Sequence, residues 1–245
     1  MTKHGKNSAN MKKSKMQIVI PCGGLATRLG ELTKYTPKSM IDINGRPFLE
    51  LQIELIKKYD FDELVLCIGH LGEKIKDYFG NGKKYGIAIK YSEDNKLDAI
   101  GAIKNAETLL RDSFFMMYGD SYLPTLDFND MNKKFTQQNK LALMAVWKNN
   151  NSIDKSNVKV QTGEVTSVGE PDSDHIDYGA TIMRKNALKI VPTDQPFSTK
   201  SFWTKLSNMH ELSAYEVTDR FYHIGNKEGL NELKTLITRK KDKRT

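Results

Sequence analysis

The run Ile18-Val19-Ile20, closed by Pro21-Cys22 and then by Gly23-Gly24, constrains this chain more than any other stretch. Three consecutive β-branched residues favour an extended backbone, and two adjacent glycines allow a tight turn where the strand ends. The reading is a strand that feeds a loop. Arg28 and Lys38 follow on the loop side, so an anion meeting backbone N–H groups there would also meet a guanidinium and an ammonium. Such a loop suits the phosphates of a nucleotide. Its spacing matches neither the G-x-x-x-x-G-K-[ST] phosphate loop nor the G-x-G-x-x-G dinucleotide turn.

Further along, Phe48 to Lys58 carries apolar residues at helical spacing, and Leu64 to Ile68 is an apolar run of the kind found in strands covered on both faces. A helix over 72–79 and a strand over 87–91 complete a β-α-β-α-β order. That order predicts an α/β fold with a doubly wound, mostly parallel sheet whose ligands gather at the carboxyl ends of the strands. A helix is expected from Gly101-Ala102 to Leu110. Phe114 to Tyr118 then reads as a strand delivering Gly119-Asp120-Ser121, where a carboxylate is placed to hold Mg²⁺ on a phosphate. Leu141 to Trp147 is a further strand, and Val158 to Val160 with Val165 to Val168 a hairpin through Thr162-Gly163-Glu164. His175 to Ala180 reads as the approach to a strand and helix ending near Leu188. Phe202, Leu206 and Leu212 suggest a helix, Ala214 to Thr218 a strand, and Glu228 to Leu236 a closing helix.

The chain has 245 residues, enough for one large domain, and a formal charge of +8. The charge is concentrated at the ends. Five lysines precede Met16 and a net four positive charges follow Thr238, so the body between is close to neutral and offers no footprint for nucleic acid. Residues 1–15 read as a basic disordered extension, 16–238 as a single domain and 239–245 as a basic tail. The first fifteen residues contain no apolar run, and no later stretch reaches the roughly 20 apolar residues of a spanning helix. Cys22 and Cys67 are too few for a disulfide framework or a cysteine zinc site. A cytoplasmic protein without membrane contact is expected, and the aromatic content near Phe197 to Trp203 leaves room for a homodimer contact. The five histidines lack H-E-x-x-H spacing, and no Ser-His-Asp set is readable.

Gly23-Gly24-Leu25-Ala26-Thr27-Arg28-Leu29, Pro37-Lys38-Ser39-Met40 and Asn44-Gly45-Arg46-Pro47 occur in that order. Together they resemble the signature of the nucleotidyltransferases that activate sugar 1-phosphates, including short heptose and hexose 1-phosphate guanylyl- or uridylyltransferases. The resemblance runs from Met16 to about Leu236 and weakens toward the acceptor side. It implies a Rossmann-like fold of the nucleotide-diphospho-sugar transferase type with a small β-rich acceptor-binding subregion. It also implies NTP and a phosphorylated acceptor as partners, with an NDP-linked product and pyrophosphate as the outcome.

On that resemblance Cys22, Gly23, Gly24, Thr27, Arg28, Glu93 and Gly101 fall to the nucleotide. Arg28 would face the leaving pyrophosphate, Lys38 the transferring phosphate, and Asp120 Mg²⁺. Glu170, Asp177, Tyr178 and Gly179 fall to the acceptor. The chain departs from the family pattern in three places. Only Gly101-Ala102 of a glycine-rich G-T-G-G-A turn is kept, with Asp98 and Ile100 where small residues are usual. Glu170 stands where E-K-P carries a lysine, and His223 where a second metal-binding aspartate is usual, although neutral imidazole suits hard Mg²⁺ poorly. Asp120 with phosphate oxygens could suffice, another carboxylate such as Asp177 could help, or the protein could be a nucleotide sensor without turnover. A nucleotidyl or cytidylyl transferase for a non-sugar phosphate, such as a phospho-alcohol or phospho-amino acid, is the other alternative.

Overall fold

Ile18, Val19 and Ile20 are fully buried at the centre of a strand, β1 (Met16–Pro21), which has apolar cover on both sides. It belongs to a computed structural model that describes residues 15–24, 27–93, 98–192 and 197–242, with the side chains of all but Thr27, Arg28, Lys241 and Asp242. The expected N-terminal extension lies outside those residues except for Lys15. After β1 come α1 (Phe48–Ile56), β2 (Phe61–Ile68), α2 (Gly72–Phe79), β3 (Ala88–Glu93), α3 (Ala99–Asn105) and β4 (Ser113–Met117). The second half comprises β5 (Ser121–Tyr122), α4 (Phe128–Thr136), β6 (Ala142–Lys148), β7 (Val158–Gln161), β8 (Glu164–Val168) and β9 (His175–Arg184). The chain closes through α5 (Thr199–Asn208), β10 (Leu212–Val217), β11 (Tyr222–His223) and α6 (Lys227–Asp242).

Among the described residues nine strands form one sheet in the order β3-β2-β1-β4-β9-β6-β10-β8-β7, while β5 and β11 pair separately. The four strands β3, β2, β1 and β4 run parallel, and β9 is antiparallel to both β4 and β6. Alternate residues feed two cores. Ile18, Leu64, Leu66 and Phe115 pack with α1, α2, α4 and α6, whereas Val19, Val65, Phe114 and Met116 pack with α3 and α5. Helices therefore cover both faces, and each fully buried Ile, Leu or Phe adds about 1.5–3 kcal/mol of burial. None of the described helices is long and apolar enough to cross a membrane.

The fold departs from the expected elements in several places. His175 to Ala180 does not precede a strand; it is the first part of β9, because Val146 to Lys148 pair with Asp177 to His175. Leu212 belongs to β10 instead of a helix. The helix α4 was not anticipated, although Asp127 caps it and Phe128, Met131 and Phe135 point inward at helical spacing. The expected tail from 239 is helical through Asp242, since Lys and Arg continue a helix readily. Phe202 and Trp203 are buried on the inward face of α5, which removes the aromatic surface on which a homodimer contact was expected.

Candidate active site

The carboxyl ends of the neighbouring parallel strands β1 and β4 open onto a cleft of about 260 Å³. Pro21 to Gly24 form one wall, Tyr118 to Asp120 another, and the start of α3 at Asp98, Ala99 and Ala102 a third; Lys38 and Ser39 also line it. Such a crevice beyond the strand ends is where open α/β sheets bind ligands.

Lys38 and Asp120 meet inside the cleft. The Lys38 Nζ donates to Asp120 Oδ2 at 2.5 Å, with the lysine side chain 19% exposed and the aspartate 36%. Lys38 opens a short 3-10 turn after Pro37, and Asp120 follows β4 after Tyr118 and Gly119. Gly119 is required there, because a Cβ would lie 2.3 Å from the carbonyl oxygen of Pro21. The turn is clamped from behind: the Gln52 side-chain NH₂ donates to the carbonyls of Tyr118 and Ser121 at 3.0 and 2.8 Å, and Ile224 N–H donates to Asp120 O at 2.9 Å. Gln52 was not singled out in the sequence; its signal was a lone polar residue within the buried side of an otherwise apolar helix.

The glycine pair acts differently from expectation. Neither Gly23 nor Gly24 has a positive φ, so the turn itself does not demand them. A Cβ at Gly24 would meet nothing within 4 Å, and one at Gly23 would meet backbone of Ile68 and Gly69, no nearer than 3.4 Å. What the missing Cβ atoms leave is open space beside the cleft, where an anion can approach backbone. Cys22 is a buried thiol held up to about 12 by burial, so it lines the wall as an unreactive neutral group. The side chains of Thr27 and Arg28 lie outside the described residues. Glu93 turns away from the cleft, exposed and paired with Lys76 Nζ at 2.5 Å. Gly101 sits inside α3, whose Ala99 and Ala102 line the cleft in its place. Asp98 lines the cleft with one carboxylate oxygen engaged: its Oδ1 accepts from Thr199 N–H at 3.0 Å and from the Thr199 hydroxyl.

On the other side of Asp120, three residues of β9 stand opposite one of β6, between the pairs Met144–Thr181 and Val146–Asp177. This bulge redirects the strand. Gly179 within it has φ +98°, and a Cβ there would strike Ser121 Oγ at 2.8 Å. Its N–H donates to Asp177 Oδ1 at 2.9 Å, while the Tyr118 hydroxyl donates to Asp177 Oδ2 at 2.9 Å and accepts from Trp203 Nε1 at 3.3 Å. Loss of solvent pushes the Asp177 carboxyl up to about 6 despite those two donors. Tyr118, which sequence reading passed over, thereby joins the cleft wall to the acceptor-side carboxylate.

Tyr178 is not a reader of substrate hydroxyls. It is fully buried, with its hydroxyl 3.0 Å from Thr125 Oγ1 and its ring against Phe221. Glu170 is exposed on the loop after β8. His223 accepts the Gly225 N–H at Nδ1 (3.0 Å) and faces Asp154 Oδ2 with Nε2 at 3.1 Å, the arrangement of a neutral imidazole protonated at Nε2. Both ring nitrogens are thus engaged, and the expected metal role for His223 does not fit. Among the described residues no three His, Cys, Asp or Glu side chains gather to hold a metal ion. Asp120 offers a partly exposed hard oxygen in the cleft, which fits an ion whose remaining ligands come from phosphate.

The sequence pattern of the nucleotidyl transferase family matches residues 17–154, more than half of the chain. Over 129 residues the chain is 37% identical to D-glycero-alpha-D-manno-heptose 1-phosphate guanylyltransferase of Campylobacter jejuni, covering 52% of this chain and 56% of that protein. Over 204 residues it is 27% identical to UTP–glucose-1-phosphate uridylyltransferase of Synechocystis, covering 74% and 52% respectively. The matched part thus spans about half the length of each relative. Among solved structures, HddC from Yersinia pseudotuberculosis complexed with GMP-PN superposes with a TM-score of 0.76 at 22% identity, over 91% of this chain and 99% of that one.

Proposed function

The chain belongs to the nucleotidyl transferase family, and from that membership we propose that it transfers a nucleoside monophosphate from an NTP to a sugar 1-phosphate. The products are an NDP-sugar and pyrophosphate. The observation that carries this reading is the Lys38–Asp120 pair inside a cleft walled by the glycine pair.

In the proposed reaction an oxygen of the acceptor phosphate attacks the α-phosphorus in line, and the bridging bond to the β-phosphate breaks, releasing pyrophosphate. No covalent nucleophile is needed, and the protein's part is positioning and charge compensation. The backbone at Cys22, Gly23 and Gly24 cradles phosphates, joined by Thr27 and by Arg28 toward the leaving pyrophosphate. Lys38 compensates charge on the transferring group. Asp120 is the residue that would hold Mg²⁺, which when bound neutralises phosphate oxygens and orients them. Asp177, held by Gly179 and Tyr118, faces the acceptor. A divalent ion, an NTP and a small phosphorylated acceptor complete the system, and these soluble substrates suit a cytoplasmic enzyme with no nucleic-acid partner. A non-sugar acceptor is the second reading, favoured by Glu170, an exposed acid that would suit a positively charged phospho-alcohol.

Pyrophosphate release from the four common NTPs, screened against a panel of sugar 1-phosphates and phospho-alcohols, tests both readings. Release with a sugar 1-phosphate supports the first, and release with phospho-alcohols alone supports the second. Silence with every pair, alongside measurable nucleotide binding, overturns both.

A further inference from the structure

Lys38 and Asp120 stand 82 residues apart in the chain yet meet at 2.5 Å, so the two turns that carry them need a common mount. The helix α1 has contacts to both. The N–H of Phe48, its first residue, donates to Ile41 O at 2.9 Å, and Ile41 N–H donates to Lys38 O at 3.2 Å. Four residues on, and therefore on the same face as Phe48, is Gln52, which is wholly buried.

The second turn runs from Tyr118 to Ser121. Ser121 N–H donates to Tyr118 O at 3.2 Å, which leaves Gly119 and Asp120 as the two central residues of a four-residue turn. Gln52 grips both ends of it with one NH₂ group, at Tyr118 O (3.0 Å) and Ser121 O (2.8 Å). Two carbonyl oxygens at those distances can face only the nitrogen of an amide, so the orientation of the side chain is fixed.

The Gln52 amide oxygen is then buried with no hydrogen-bond partner among the described residues. An unpaired buried oxygen costs stability, and an apolar side chain would fill this position beside Leu49, Leu51 and Ile53 without that cost. What the amide alone supplies is a pair of donors on either side of Asp120.

We infer that Gln52 is a positioning residue whose amide holds the Gly119-Asp120 turn where the Asp120 carboxylate reaches Lys38 and, in the proposed transferase reaction on which this second part rests, the divalent ion. The test reads Lys38 itself. An ammonium held on a carboxylate exchanges its protons slowly enough at low temperature to give its own nitrogen–proton NMR signal, assigned by its disappearance in Lys38→Ala. Gln52→Met keeps the length of the side chain without its donors, and Gln52→Glu keeps its shape but, ionised, donates to neither carbonyl. Both are expected to lose the Lys38 signal as Asp120→Asn does. Both should also raise the Mg²⁺ concentration for half-maximal pyrophosphate release about tenfold and lower kcat about tenfold or more, with the KM for NTP within about threefold.

Phe135→Leu, buried in α4 and not lining the cleft, is the destabilised control: it lowers the melting temperature and leaves the signal and the Mg²⁺ dependence as in the wild type. A Lys38 signal that survives both Gln52 variants, that is absent from the wild type, or that is lost equally in Phe135→Leu overturns the inference. If Gln52→Met releases pyrophosphate with the kcat and Mg²⁺ dependence of the wild type, the inference fails while the transferase reading stands. If the signal depends on Gln52 and no NTP and acceptor pair releases pyrophosphate, the positioning of Asp120 stands and the transferase reading fails instead.

Discussion

The two sides of the cleft are built in different ways. The side proposed to bind the nucleotide consists of β1, its following loop and the end of β4, and its polar groups sit on short contiguous segments at the ends of neighbouring parallel strands. The side proposed to bind the acceptor is assembled from β9, the loop after β8, α5 and β11, and its contacts join residues far apart in the chain: Tyr118 with Asp177, Trp203 with Tyr118, Thr199 with Asp98. Handling phosphate requires backbone, a cation and a carboxylate, which one loop and one strand end can supply. Distinguishing acceptors requires a shaped polar wall, which only long-range pairing builds.

That contrast predicts effects of decreasing size. Asp120→Asn removes the carboxylate proposed to hold a divalent ion, and turnover is expected to fall about 1,000-fold or more, roughly 4 kcal/mol, with circular dichroism unchanged. Activity that still follows a Mg²⁺ titration as in the wild type would break the assignment of that side.

Asp177 tests the other side through pH. Its carboxyl is raised from 3.8 to about 6 in the folded chain, so the folded state holds that proton more tightly than the unfolded state does. The favourable contribution of the protonated form is complete below about 4 and is lost as pH rises through 6. Melting temperature of the wild type relative to Asp177→Asn should therefore fall between pH 4 and 7, while nucleotide affinity of the variant stays within about twofold. A gap between the two melting curves that ignores pH would mean the carboxylate is not strained by burial.

His223→Ala gives the smallest effect on activity. It leaves the Gly225 N–H without its acceptor, at a cost of about 1–2 kcal/mol and a melting temperature lower by several degrees. The Mg²⁺ midpoint should not move, because neither ring nitrogen is available to the ion. A tenfold shift in that midpoint would return His223 to the metal site.

The same contrast governs what could be read before the fold was known. Ile18 to Gly24, Lys38 and Gly119-Asp120 form local patterns whose chemistry follows from residue type and spacing, and the cleft brings Lys38 and Asp120 together. The helix α4 was equally legible, with Asp127 before apolar residues at 128, 131 and 135, but went unread. The acceptor side could not be read this way. Tyr178 resembles a hydroxyl reader until the β9 bulge places it against Phe221 in the core, and nothing near Asp98 in the sequence shows that Thr199, folded back from a distant segment, engages its carboxylate. Period-two patterning fixes which face a strand residue takes only where register is regular, and here it shifts between Asp177 and Thr181.

The most direct test of the shared cleft is a double-mutant cycle on Lys38→Ala and Asp120→Asn, read as the kcat of pyrophosphate release. Two groups acting as one unit at 2.5 Å predict that the double variant is no slower than the worse single variant, within about threefold. Losses that multiply would show two independent groups and contradict the shared site.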